Sequence, residues 1–293
     1  MESTFNYGDF GALLQQAVGQ PLKYYTVFTS GNCANSYLVN GMYVVKIPFE
    51  KRTALMLQRE LSVSKVLKGY NLPYQTPIWR EYRPVKPCAD VYGNPIEFCA
   101  VRKIINGHTP SDLTNPELMA DLGLFFAKLH KIPAVRFKDI PTVLDLNFEQ
   151  DVTMLENYAS EKAGLNDKEL GQIRRLLSST ILSEVKYAYF KQVRPVLCHH
   201  DLHKNNVLVN DEGRLIAVLD FGAARLAQAK TDINLLKMTL SDDNFAAFMK
   251  PYQKYAKGVN VADVQKYEKA LIGRLSSVVS ERYFSLVKSY DRE

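Results

Sequence analysis

Apolar and polar positions divide the chain into a β-rich first third and a mostly helical remainder, with the change near Asn106-Gly107. Residues 9–18 carry apolar side chains at helical spacing and stop at Gly19-Gln20-Pro21, which predicts a short amphipathic helix. Residues 24–29 are rich in β-formers and lead into a polar turn over 30–35. Two further β-prone runs, 36–39 and 42–47, flank Asn40-Gly41. Asn-Gly between apolar runs predicts a hairpin, because both residues tolerate positive φ. Pro48 closes the second strand. Residues 52–68 then read as a helix, with Met56, Glu60, Val63 and Leu67 along one stripe and Gly69 as its stop. Residues 76–82 and 96–105 are further strand candidates.

After Gly107 the pattern turns helical. Ser111 or Asn115 caps a helix that runs to His130, with Leu118, Leu122, Phe125, Phe126 and Leu129 on its apolar face. Residues 147–160 and 167–190 are helical by pattern. A short β region follows at 196–198, 207–209 and 215–219, with a turn over 210–213, and helix resumes from Asp232. The expected architecture is α+β with two parts, residues 1–103 and 104–293.

Composition adds limits. The chain has 293 residues, 46% hydrophobic and 23% charged, enough to bury a sizeable core. Its net charge of +6 is spread along the chain, which argues against nucleic-acid or membrane-surface binding. Cys33, Cys88, Cys99 and Cys198 lie far apart, so free thiols are expected rather than a disulfide framework or zinc site. The first twenty residues lack a basic start and a long apolar run, and no stretch reaches the length of a membrane span. A cytoplasmic protein is the expectation.

The chemistry concentrates in Cys198-His199-His200-Asp201-Leu202-His203-Lys204-Asn205-Asn206 and in Asp220-Phe221-Gly222, which ends an apolar run. Phosphoryl transfer needs an oriented hydroxyl and neutralisation of a triphosphate. Asp201 is the candidate to orient the hydroxyl or accept its proton. Magnesium takes hard oxygen ligands and keeps several waters, so Asn206 and Asp220 are the candidate metal ligands. Upstream, Lys46 stands in an apolar strand, where it either faces solvent or meets a buried carboxylate. Glu60, on the apolar stripe of the next helix, is that carboxylate. Such a pair would aim the ammonium at the α- and β-phosphates. The turn at 29–36, with Gly31, Asn35 and Ser36, either covers phosphates with backbone N–H groups or is an ordinary hairpin loop.

These motifs resemble the aminoglycoside phosphotransferase and choline kinase superfamily, over roughly residues 24–240. His199-x-Asp201-Leu202-His203-x-x-Asn206 matches its catalytic loop, and Leu219-Asp220-Phe221-Gly222 its metal-binding segment. Asp232 matches a further acidic position, and Leu129-His130 a helix end. Residues 31–40 are similar to the nucleotide loop of aminoglycoside kinases. The resemblance implies a two-lobed protein-kinase-like fold, with a small antiparallel-sheet N-lobe and a larger, mainly helical C-lobe. It implies ATP or GTP as co-substrate, Mg2+, and backbone around Ala100 to Lys103, including Arg102, holding the base. The chain departs from the family at His200, where glycine is usual, and at Ala227-Gln228-Ala229, where Gly-Asp-Pro is frequent.

Two rivals remain in the sequence. A protein Ser/Thr kinase would share the loop spacing, but Ala-Pro-Glu and a Gly-x-Gly-x-x-Gly loop are missing, and His203 stands where lysine is usual. An inactive nucleotide-binding scaffold is disfavoured because every catalytic position is filled. For the acceptor, residues 142–185 hold eight carboxylates against four basic side chains, and Asp242-Asp243 follow later. This acidity suits a small amine-bearing hydroxyl compound, an aminoglycoside or amino alcohol. It equally suits a solvated helix face.

Overall fold

The computed structural model describes residues 7–30, 34–140 and 194–259. The helices expected over 147–160 and 167–190 lie outside the described residues, as do Gly31 and Cys33. An N-terminal lobe with an antiparallel sheet is joined to a C-terminal, mostly helical lobe.

The N-lobe begins with α1 (Tyr7–Val18). Strands β1 (Tyr25–Ser30), β2 (Asn35–Val39) and β3 (Tyr43–Ile47) follow, then α2 (Lys51–Leu67), β4 (Arg80–Tyr82) and β5 (Cys99–Lys103). The sheet order is β1-β2-β3-β5-β4. The Asn40-Gly41 turn forms as its residues predict, with φ of 53° and 67°. Asn40 also ties the turn down: its Oδ1 accepts from Lys23 N at 2.8 Å and its Nδ2 donates to Pro21 O at 2.9 Å.

Strand alternation sorts the sheet's two faces. Tyr37, Val39, Val45, Ile47, Cys99 and Val101 pack with Phe10, Leu13, Leu14 and Ala17 of α1. The opposite face carries Val44, Lys46 and Ala100 and meets Leu57 of α2, with Trp79 and Phe98 filling the gap. Thr53 starts α2 by accepting from Glu50 N at 3.1 Å. Leu57, Glu60, Val63, Ser64 and Leu67 are buried on α2, while Met56 is only half-buried at the stripe's edge.

The candidate strand at 76–82 is shorter than expected, Arg80–Tyr82 only. Gln75 leaves the N-lobe sheet and pairs with the C-lobe: its N–H donates to Ile216 O at 2.9 Å, and its carbonyl accepts from Val218 N at 3.1 Å. Pro77 has no N–H to contribute to a ladder. Past β5, His108 exchanges backbone hydrogen bonds with Val209 at 3.0 and 2.9 Å.

The C-lobe is built on α3 (Pro116–Leu129), capped by Asn115, whose Oδ1 accepts from Glu117 N at 2.8 Å. All five residues expected on its apolar face are buried. Strands β6 (Val196–Cys198), β7 (Val207–Val209), β8 (Leu215–Val218) and β9 (Arg225–Ala227) form two antiparallel pairs, β6-β9 and β7-β8. Then come α4 (Lys230–Thr239) and α5 (Asp242–Tyr255). Helices α3 and α5 approach closely at Gly123, where an added Cβ would lie 2.1 Å from Phe248 O.

A buried carboxylate paired with a half-exposed arginine braces this lobe. Asp121 of α3 accepts from Arg214 Nε at 2.7 Å, Arg214 Nη2 at 2.6 Å, Tyr74 OH at 2.5 Å and Leu215 N at 3.2 Å. Burial raises the Asp121 carboxyl pKa, but the Arg214 and Tyr74 hydrogen bonds outweigh it and hold the group below its ordinary value.

Candidate active site

Two antiparallel strand pairs, β6-β9 and β7-β8, position the loop that carries the candidate catalytic residues. The loop leaves β6 at Cys198 and enters β7 at Val207, while the turn after β8 carries Asp220. Leu219 N donates to Asn206 O at 2.8 Å, so the residue before Asp220 is bonded to Asn206. Asp220 has φ of 60° and ψ of 72°, a left-handed conformation that turns the chain sharply, and its Oδ1 accepts from Gly222 N at 3.3 Å.

Lys46 projects from β3 toward this turn. Its Nζ lies 2.9 Å from Glu60 Oε2 and 3.6 Å from Asp220 Oδ2. Burial opposes the Lys46 charge, yet the two carboxylates together hold its pKa above the ordinary lysine value. Burial also raises Asp220, but Lys46 and then His199 pull it below the usual carboxylate range. For Glu60 burial prevails over Lys46 and raises the carboxyl. Trp79 Nε1 donates to Glu60 Oε1 at 2.8 Å, completing the set of donors around that carboxylate.

Asn206 is buried, and its Nδ2 donates to Asp201 O at 2.8 Å. The amide orientation follows from that carbonyl, which can only accept. Its Oδ1 accepts no hydrogen bond among the described residues and stays available to a cation. Asp201 is exposed, with His203 Nε2 at 3.8 Å from its Oδ2. One carboxylate and one amide oxygen make a donor set that fits Mg2+, which keeps several waters of its own.

A second, buried layer fixes the loop. Asp232 of α4 accepts from His199 N at 2.8 Å, His200 N at 2.9 Å and His130 Nε2 at 3.2 Å. His130 Nδ1 meets Tyr252 OH at 2.9 Å. Burial raises Asp232, but His130 overcomes it and keeps the carboxyl below its ordinary value. The His199 ring links two segments: Nδ1 accepts from Asp201 N at 3.2 Å, and Nε2 donates to Leu219 O at 2.7 Å. Cys198 lies beside His130 and Asp232, but its thiol donates to Gln228 O at 3.1 Å. All three are thereby committed to hydrogen bonds within the protein, an arrangement suited to bracing rather than to ligating a metal.

Other sequence candidates fall less directly on the cleft. Ser36 is buried in β2, in register with Lys46. Asn35 donates from Nδ2 to Asp90 Oδ2 at 3.1 Å. Ala100 is fully buried in β5, flanked by Lys46 on one side and Glu81 on the other. Pairing continues to Ile104, whose N–H donates to Met42 O at 2.8 Å. On its other side β5 pairs with β4 only over Cys99–Val101, so Arg102 and Lys103 lie past the end of that ladder. The Arg102 guanidinium lies 5.1 Å from the Trp79 ring centre, and Nη1 donates to Lys103 O at 3.0 Å. Trp79 itself went unread in the sequence. The signal was there, since the chain's single tryptophan brings an N–H donor that needs an acceptor when buried.

The sheet lobe, the Lys46–Glu60–Asp220 contacts and the Asp201–Asn206 loop together define a kinase-like phosphotransferase. The chain matches the model of the phosphotransferase enzyme family over residues 25–268, and it belongs to that family. It is an enzyme with an alcohol group as acceptor.

Solved structures share the fold. ADP-bound aminoglycoside phosphotransferase APH(2'')-Ib is 22% identical, with 92% of this chain and 96% of that chain covered and a TM-score of 0.57. The gentamicin complex of APH(2'')-IIa is 20% identical, with 99% and 92% covered and a TM-score of 0.57. Macrolide 2'-phosphotransferase MphH from Brachybacterium faecium is 16% identical, with 94% and 92% covered and a TM-score of 0.54. No curated protein sequence matches the chain. Among the described residues no helix is long and apolar enough to cross a membrane.

Proposed function

We propose that the enzyme transfers the γ-phosphoryl group of ATP or GTP to a hydroxyl of a small, amine-bearing molecule. The observation that carries this reading is the position of Lys46 between Glu60 and Asp220, at 2.9 and 3.6 Å. An ammonium so held is oriented before a nucleotide arrives, and it lies where the α- and β-phosphates would sit.

Asn206 Oδ1 and the Asp220 carboxylate would hold Mg2+, which when bound supplies charge neutralisation to the triphosphate. The other roles belong to the chain's own groups. Asp201 orients the acceptor hydroxyl and accepts its proton at a carboxylate oxygen. The amide of Asn206 and the ring of His199 hold the Asp201 main chain, so its carboxylate keeps one direction. The nucleotide would lie between residues 1–103 and 104–293, with its base against the main chain around Ala100 to Lys103. Gly31 and Ser36 would line the phosphate side.

The amine in the acceptor is supported by the acidity of residues 142–185, which lie outside the described residues, and by the relatives' names, which record aminoglycosides. Asp242 and Asp243 are exposed in the first turn of α5, where they also complement that helix's dipole. We place the enzyme in the cytoplasm, a reading supported by the free thiols of Cys99 and Cys198.

The test is a coupled screen for nucleoside diphosphate release, with Mg-ATP and Mg-GTP, against aminoglycosides, amino alcohols, neutral sugars and nucleosides. Turnover on amine-bearing hydroxyl compounds is the expected result. Phosphorylation confined to neutral or anionic acceptors would overturn the acceptor class, and phosphate appearing on protein serine or threonine would overturn the small-molecule reading.

A further inference from the structure

Lys46 takes its two carboxylates from different elements, Glu60 from α2 and Asp220 from the turn after β8. One short stretch of chain, residues 75–79, grips both of those elements. At one end Gln75 exchanges main-chain hydrogen bonds with Ile216 and Val218, and Val218 stands two residues before Asp220. At the other end Trp79 docks on α2 twice. Its main-chain N–H donates to Ser64 Oγ at 2.8 Å, and its Nε1 donates to Glu60 Oε1 at 2.8 Å. Pro77, buried midway, fixes one φ angle and stiffens the stretch.

The Trp79 contacts set the rotation of α2. Glu60 and Ser64 are four residues apart, so they lie on one face of the helix, one turn from each other. Two bonds on that face fix how the helix is turned as well as how near it lies. The bond to Oε1 also decides which oxygen is left for Lys46, whose Nζ meets Oε2 at 2.9 Å. The indole ring lies 5.3 Å from Lys46 Nζ, so its face attracts the same ammonium, and 5.1 Å from the Arg102 guanidinium. Trp79 is 8% exposed, and a buried indole N–H without an acceptor is costly. The Nε1–Oε1 bond is therefore the arrangement to which the stretch is driven.

We infer that Trp79 is a positioning residue for nucleotide binding: it holds Glu60 in the rotation that presents the Lys46 ammonium to the phosphates, and acts only through those two side chains. This rests on the reading that Lys46 meets the α- and β-phosphates. Trp79→Phe keeps a ring beside Lys46 but frees Glu60 Oε1. The carboxylate then turns among several directions, and the competent arrangement is populated less. The apparent dissociation constant of the nucleotide rises by the inverse of that fraction.

The experiment is calorimetric titration of the full chain with Mg-ADP and with Mg-GDP, on the unaltered protein, Trp79→Phe, Lys46→Met and the double variant. Trp79→Phe should bind about threefold to tenfold more weakly, the factor for a competent fraction cut to between a third and a tenth. In the Lys46→Met background the same change should weaken binding almost no further, because the group through which Trp79 acts is gone. Gly123→Ala, which strains the remote α3–α5 contact, is the control for stability: it should melt lower yet bind nucleotide as the unaltered chain does. Should Trp79→Phe fail to fold, Ser64→Ala takes its place, and it too must weaken binding only while Lys46 is present. Unchanged affinity in Trp79→Phe beside a loss in Lys46→Met overturns the inference and leaves the Lys46 role standing. So does a loss that adds in full to that of Lys46→Met, or an equal loss in Gly123→Ala. Equal binding, or none, in the unaltered chain and Lys46→Met overturns the Lys46 role itself, and the inference falls with it.

Discussion

Lys46 Nζ sits 2.9 Å from Glu60 Oε2 and 3.6 Å from Asp220 Oδ2, so one ammonium joins β3, α2 and the turn after β8. Removing that ammonium has two separable effects. Lys46→Met should lower kcat/KM by about 10²–10³, the range for losing one preorganised charge stabiliser. It also leaves the Glu60 carboxylate buried without its cation, at a cost of about 3–5 kcal/mol. The double variant Lys46→Met with Glu60→Met should regain most of the stability and none of the activity. Denaturant melts and steady-state kinetics on the three variants check both halves.

Asp201 and Asp220 should fail differently. Asp201→Asn keeps the shape of the loop but removes the proton acceptor. Turnover should fall about 10²–10⁴ with nucleotide affinity nearly unchanged. Asp220→Ala removes a proposed metal ligand and a partner of Lys46, so Mg-nucleotide binding and turnover should fall together. Calorimetric titration with Mg-ADP beside kinetics separates the two patterns. Equal, mild effects at both positions would contradict these roles.

Stability toward acid should report on Asp121. Its folded pKa is held below the ordinary value of about 3.9 that it regains when unfolded. The stabilisation is therefore present above pH about 4 and is lost as the pH falls through the folded pKa. Asp121→Asn should lower stability at neutral pH by about 1–2 kcal/mol, a modest figure because Arg214 is half-exposed and water screens the pair. The variant's stability should vary less with pH below about 4. Melting curves from pH 2.5 to 7 on both proteins give the comparison.

Gly123 tests the α3–α5 contact. An alanine Cβ there would lie 2.1 Å from Phe248 O and 2.9 Å from Pro251 Cγ. Alanine favours a helix over glycine by about 1 kcal/mol, but the backbone overlap forces the helices apart. Gly123→Ala should lower the melting temperature by about 4–8 °C, for a net loss of about 2 kcal/mol. A rise in melting temperature would mean that propensity outweighs the clash.

What could be read in the sequence follows from range. The hairpin at Asn40-Gly41 was legible because turn chemistry is local. The Lys46–Glu60 pair was legible because a charged residue on an apolar stripe demands a partner, and the two stand on consecutive elements, β3 and α2. The contact between Asp121 and Arg214 was not, since their spacing of 93 residues carries no period. Trp79 reads as part of a strand because its neighbours are β-prone, while its indole N–H serves Glu60. The start of β4 was placed too early for a tertiary reason: Gln75 pairs with the other lobe.

The tie between the lobes at Gln75 has a consequence of its own. It consists of main-chain groups alone, exchanged with Ile216 and Val218, so it does not record which side chain stands there. Nineteen of the twenty amino acids could keep that seam closed, and proline alone would open it. Drift in sequence at this position should therefore leave the alignment of the two catalytic halves almost untouched.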